Sequence, residues 1–264
     1  MITLASDFGT PYPAAMKGVI LDRTDARLVD IAHDFPRQDV RAAAFWLRET
    51  LPYFPPAVHL VVVDPGVGTD RRAIVLRAGE HALVGPDNGV LVPPTRVIAS
   101  DQDGDGSAAE RIDAFEIRVD DPASSTFHGR DVFAPAAADV HESGVERLDD
   151  VSRFEPVPTD SLVDLRFPKP TVEGDVIRGE ILVVDDFGNA ITNVPGDLVS
   201  DVPSIVVNGI EVPVVQTFAS VGHGERLVTV GSHGYVECDV NRGRGDEAFG
   251  LEAGDTLTIE RSSG

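Results

Sequence analysis

Four short polar segments gather the residue types that chemistry needs: SDFG at 6–9, DPGVGTDRR at 64–72, TFHGRD at 126–131 and DDFGNAITN at 185–193. Each has a plain structural reading as a tight turn whose Asp or Asn satisfies nearby backbone groups. Each also sits at a strand end, where open α/β sheets bind their ligands. In DPGVGTDRR two glycines allow a ligand close to the backbone, with Asp64 at the strand tip and Arg71 at the far side of the loop. A phosphate loop is the rival reading. The segment lacks the Gly-Lys-Ser/Thr ending, and a carboxylate at the strand tip repels phosphate. His128, between Phe127 and Gly129, lies in a turn rather than on an apolar helix face. A metal site built on His128 and Asp131 is the other alternative. No HxH or HExxH pattern accompanies them and the remaining histidines are scattered, so no metal is expected.

Such turns need a scaffold. ITLASDFG reads as a short strand, AAMKGVILDRT as a helix and ARLVDIAHD as a second strand. Residues 38–53 carry apolar groups at helical spacing, and VHLVVVD from residue 58 is a β-branched run of the buried type. The alternation predicts an α/β domain with a mainly parallel sheet. AIVLRA and ALVGPD add two strands before the chain turns at DNGVL, and residues 130–145 read as a helix. Between residues 154 and 170 four prolines and a loss of periodicity mark a linker. Beyond it, β-rich segments separated by Gly, Asn and Asp predict a small all-β sandwich or barrel. The expected organisation is an N-terminal α/β domain over 1–160 and a C-terminal β-barrel domain over 171–264.

The 264 residues suffice for this two-part core. No apolar stretch reaches the length of a membrane span, so a soluble protein of the cytoplasm is expected. A formal charge of −22 repels nucleic acid and anionic membranes. Lys17 and Lys169 are the only lysines, and this shortage with the acidity fits a salty cytosol that screens self-repulsion. The acidic run at 101–105 resembles the start of a calcium loop but lacks the preceding helix and the Glu at the twelfth position, so it reads as a solvated loop. Cys238, the single cysteine, reads as core filler.

The order SDFG, VVVDPGVG followed by an arginine, VGPDNGVL, TFHGRD, DDFGNAITN and GSHGYVE resembles the S-adenosylmethionine hydroxide adenosyltransferases from Ile2 to about Leu251. These adenosine-forming hydrolases are related to enzymes that attack the same carbon with halide. The resemblance implies an N-terminal α/β domain, a C-terminal β-barrel and a homotrimer whose substrate lies at the subunit interface. It assigns water handling to Asp64, Arg71 and His128 and ribose binding to Asp7. Phe127 and Phe187 become walls near sugar and adenine, and Asn189 an amide for the adenine edge. Asp185 and Ser232 fall where the methionine amine and carboxylate are held, with Glu237 from the same C-terminal segment and a backbone contact near Ala248. The halogenating relatives carry tyrosines at the positions of Asp64 and His128 and a halide-binding serine where this chain has Gly129, which puts it on the hydrolase side. Tyr12 follows a loop about two residues shorter than in many relatives, and NRGRGDEAFG is longer than the usual adenine-side loop.

The implied chemistry is displacement of methionine by water at the 5′ carbon. A sulfonium leaves as a neutral thioether, so the resemblance implies no cofactor and no metal, only a positioned nucleophile. Asp64, Arg71 and His128 would hold and polarise the water, and the sequence leaves open whether Asp64 or His128 takes its proton. Halide transfer and turnover-free sensing of the nucleoside are the competing functions.

Overall fold

Parallel pairing starts the N-terminal sheet around two strands that are buried on both faces, with a third, Leu28–Ala32, half-buried at the edge. β1 (Ile2–Ser6) and β3 (Val58–Val62) are buried at every position, the signature of strands covered on both sides. β1 pairs in parallel with β2 (Leu28–Ala32) and β3, and β3 with β5 (His81–Pro86). The remaining strands, β4 (Ala73–Ala78), β6 (Ile112–Ile117) and β7 (Phe154–Val157), are antiparallel, giving the order β2-β1-β3-β5-β4-β6-β7. The parallel half therefore ends at β5, where the β4–β5 connection is too short for a crossover helix. The computed structural model describes residues 1–101, 111–119 and 127–261, so the acidic run at 101–105, beyond its first residue, lies outside the described residues.

Helices cover both faces. α1 (Tyr12–Leu21) packs with α4 (Ala134–Ser143), and α4 lies on β1, β3 and β5. α2 (Val40–Thr50) packs with α3 (Val92–Asp101), which rests on β4 and β6. α2 starts where Asp39 accepts the Ala42 N–H at 2.8 Å, a side-chain N-cap, and carries Arg48 in its last turn. α3 corrects the sequence expectation that no helix precedes the acidic run at 101–105, since it ends at Asp101. Pro93 and Pro94 sit in its first turn, where a missing N–H leaves no helical bond unmade. Inside the sheet Thr3 Oγ1 bonds His59 Nδ1 at 2.8 Å and His59 Nε2 bonds His81 Nδ1 at 3.0 Å, with the rings stacked. Burial, reinforced by His81, drives the His59 pKa down to about 3, so this imidazole stays neutral and structural.

The chain divides into two compact units, Met1–Leu165 and Arg166–Gly264. The proline-rich stretch read as linker opens with β7, which completes the first sheet by pairing with β6. The four residues of β7 are too few to show the alternation of a longer strand.

The second unit is antiparallel: β8 (Thr171–Glu173), β9 (Val176–Val184), β10 (Ala190–Pro195), β11 (Ser204–Val207), β12 (Ile210–Pro213), β13 (Arg226–Val230), β14 (Tyr235–Val240) and β15 (Thr256–Arg261), with the short helix α5 (Gly245–Phe249) after β14. Their order is β12-β11-β15-β9-β10-β14-β13, with β8 attached to β9. A bridge between Val214 and Val228 draws the two edges together, so the sheet nearly closes into a barrel. Ile177, Ile181, Ile205, Val228 and Ile259 fill it together with Cys238, whose thiol is pushed up by burial.

Candidate active site

The loop leaving β3 folds back on itself. Asp64 Oδ1 accepts the Gly66 N–H at 3.1 Å, and Thr69 Oγ1 donates to the Gly66 carbonyl at 2.7 Å. This returns Arg71 to the strand tip, where Nη2 donates to Asp64 Oδ2 at 2.5 Å and Nη1 to the Arg72 carbonyl. The ion pair is withdrawn from water, with side-chain exposures of 4% for Asp64 and 10% for Arg71, and the guanidinium lies over the Phe133 ring. Desolvation makes such a pair a poor stabiliser, but loss of one partner strands a buried charge, so its geometry is firmly held. Arg72 serves differently: it pairs with Asp87 at 2.6 Å and donates to the Ser161 carbonyl, anchoring the segment that ends the first unit.

His128 stands just before Gly129–Phe133, a π-helical turn that leads into α4. Insertions of this kind recur at functional sites because they re-aim one side chain without ending the helix. The turn puts His128 in the wall of a cavity of about 500 Å³ that also contains Asp64. Aromatic rings build the rest: Phe8, Tyr12 and Phe127 meet edge to face with centroids 5.5–6.1 Å apart, and Val62 and Val67 add apolar surface. Arg130 stacks over Phe127 at 5.2 Å while paired with Asp131. A mainly apolar hollow with a few convergent polar groups is the usual form of a small-molecule site.

The structure thus brings Asp64, His128 and Phe127 to one cavity, with Arg71 paired to Asp64. Asp7, at the end of β1, is buried and accepts the Gln38 N–H at 2.7 Å; it does not line the cavity. Phe8 and Tyr12 are wall residues that the sequence reading left without a role. Both aromatics were visible beside the SDFG turn, but only the fold tells which ring faces a cavity.

The remaining residues belong to the second unit. Asp185 organises the turn between β9 and β10, its Oδ1 accepting the N–H groups of Phe187 and Asn189 and its Oδ2 the Asn189 amide. Gly188 takes φ +87° there, and a β-carbon would collide with Arg244 and Asp246. Phe187 is 79% exposed, a large apolar ring in solvent. Ser232 occupies the exposed β13–β14 turn. Glu237 is buried on β14, beside His233 at 3.6 Å, with its Cα opposite Ile191 of β10. Burial, then the charges of Asp239 and Asp185, raise the Glu237 pKa to about 7. Burial likewise raises Asp239 to about 6 against the opposing bond from Thr229. The Ala248 carbonyl accepts Nε and Nη2 of Arg226, and its N–H donates to Arg244, so both backbone groups are engaged within this unit. Among the described residues no group of three His, Cys, Asp or Glu side chains is placed to hold a metal ion.

Residues 2–151 match the sequence family described as the SAM hydroxide adenosyltransferase N-terminal domain, and residues 179–258 match its C-terminal domain. An (R)-S-adenosyl-L-methionine hydrolase from Salinispora tropica is 40% identical over 98% of this chain and 97% of the relative. A protein of the same name from Thermus thermophilus is 42% identical, covering 94% of this chain and 95% of its own. The crystal structure of an uncharacterized conserved protein from Thermotoga maritima superposes with a TM-score of 0.79 at 34% identity, covering 99% of this chain and all of that one. With both domains matched in order and relatives alike over nearly their whole length, this chain belongs to the SAM hydroxide adenosyltransferase family.

Proposed function

We propose that this protein is an enzyme that hydrolyses S-adenosyl-L-methionine to adenosine and L-methionine. The observation that carries the reading is the buried Asp64–Arg71 pair at the edge of an aromatic cavity that also presents His128. The apolar hollow accommodates the adenosyl group, and the polar edge holds a water in line with the C–S bond. Fixing that water at attack distance supplies several kcal/mol of the barrier, on the order of 7–11 in ideal cases. Both Asp64 oxygens already accept N–H donors, so Asp64 orients the water, Arg71 fixes Asp64 and His128 takes the proton. Methionine departs as a neutral thioether, a step that asks for no cofactor. On this reading Asp7 holds the ribose, Asn189 and Phe187 meet the adenine, and Asp185, Ser232 and Glu237 receive the amino-acid end.

The assembly we propose is a homotrimer in which a neighbouring copy completes each site, working in a salt-rich cytoplasm; the family resemblance supports the first, and the acidic, lysine-poor composition the second. The relatives' names carry the (R) configuration at sulfur, and we extend that preference to this chain.

The test is incubation of the purified protein with each sulfonium epimer, at low and molar chloride, followed by mass spectrometry of the products. Adenosine with methionine, faster from the (R) epimer, is the expected result. 5′-Chloro-adenosine would instead indicate halide transfer, and no product a binding protein. Asp64→Asn and His128→Ala should each lower turnover by roughly 10²–10⁴-fold, the usual worth of a positioned acid or base.

A further inference from the structure

Two cavities share His128 and are linked by the Asp64–Arg71 pair. The aromatic one has Asp64 in its wall; a second, of about 310 Å³, has Arg71 in its wall; His128 lines both. The Asp64–Arg71 ion pair therefore spans the partition between them. The second cavity differs in character, since Asp70, Arg72, Glu116 and Arg118 contribute charged groups to it, and Thr69 and Val119 of its lining are exposed, which sets them at its outer edge. Its cations are already committed, Arg72 to Asp87 and Arg118 to Glu155, which suits water rather than a bound anion. At roughly 30 Å³ per molecule the space holds several waters. Within the partition, Arg71 Nε is buried without an acceptor among the described residues, next to the bare Cα of Gly66, and a buried N–H of this kind is normally satisfied by water.

Once an adenosyl group fills the aromatic cavity, its bulk obstructs that side, yet each turnover consumes one water and releases one proton. We propose that the second cavity is the port through which the reacting water enters and its proton leaves. The inference rests on the hydrolytic role assigned to Asp64, Arg71 and His128. Water arriving past Val119 is handed to the triad; its oxygen bonds to C5′ while the C5′–S electron pair goes to sulfur. The proton passes to His128 and then through the waters beside Glu116 to bulk solvent. Sulfonium plus water gives adenosine, methionine and one proton, so charge and atoms balance.

Narrowing the rim tests this without touching the substrate cavity. Val119 is 42% exposed, so a larger side chain there is tolerated by the core. Single-turnover hydrolysis, with enzyme in excess, reads the chemical step free of product release. Val119→Trp should slow it about tenfold while substrate Kd stays within about twofold, and Val119→Ala should leave both unchanged. Should the tryptophan variant fail to fold by circular dichroism, Val119→Phe takes its place. A plugged variant hydrolysing within about twofold of the parent, while His128→Ala and Asp64→Asn are inactive, overturns the port and leaves the triad standing. If the two triad variants also keep full activity, the hydrolytic assignment itself falls and the port with it.

Discussion

At Gly129 a single missing methyl group shapes the floor of the aromatic cavity. A β-carbon there would lie 3.0 Å from Met16 Sδ and 3.2 Å from the rings of Phe127 and Phe8, closer than packed atoms settle without movement. Gly129→Ser, the residue type found in the halide-using relatives, should therefore displace those rings, cost about 1–3 kcal/mol of stability and weaken substrate binding without creating halide transfer. Thermal denaturation and product analysis in chloride check both halves. Single residues were also where the sequence was most informative and most incomplete. Asp64, Arg71 and His128 were singled out mainly by the family resemblance, since each of their turns, taken alone, also reads as a plain structural one. Phe8 and Tyr12 were not, because an aromatic ring near a turn looks the same whether it fills a core or lines a hollow.

Among the elements, β14 carries a charge problem with a measurable signature. Glu237 and Asp239 alternate with Cys238 on one strand, and burial holds their pKa values near 7 and 6. As pH rises above the ordinary carboxylate range, the unfolded chain loses these protons first while the fold retains them. Their joint contribution to stability thus falls from about pH 4, where Asp239 begins, to about pH 7, where Glu237 ends, and is level above it. Glu237→Gln should gain on the parent in urea midpoint across that window and keep a constant difference at higher pH; parallel curves would refute the burial argument. Strands such as β3 were legible in the sequence because β-branched runs have one use. α3 was not, since two prolines mask a helix that starts on them, nor was β7, four residues without room for alternation. The antiparallel half of the first sheet escaped too, because strand direction is decided by pairing and not by side-chain pattern.

For the molecule as a whole, the charge of −22 predicts the response to salt. Screening shortens from about 10 Å at 0.1 M to about 3 Å at 1 M, so self-repulsion that strains the fold in dilute buffer fades in brine. The melting temperature by calorimetry should rise steadily with sodium chloride over this range, and a flat response would count against the salt-rich setting. Equilibrium sedimentation in the same series should find three copies at high salt, with hydrolytic activity following that species on dilution. The change of composition near residue 160 was the sequence signal for a division, and the structure has two units, Met1–Leu165 and Arg166–Gly264, each with its own sheet and core.

The π-helical turn at Gly129–Phe133 leaves this chain open to change by deletion as well as by substitution. It holds one residue more than an ordinary turn, so removing a single codon there would restore regular winding and rotate everything before it by about 100° about the axis of α4. His128 would swing out of both cavities at once while α4 kept its own packing. Phe127, just before His128, would leave the aromatic wall with it, so one in-frame deletion at that turn should cost substrate binding together with hydrolysis.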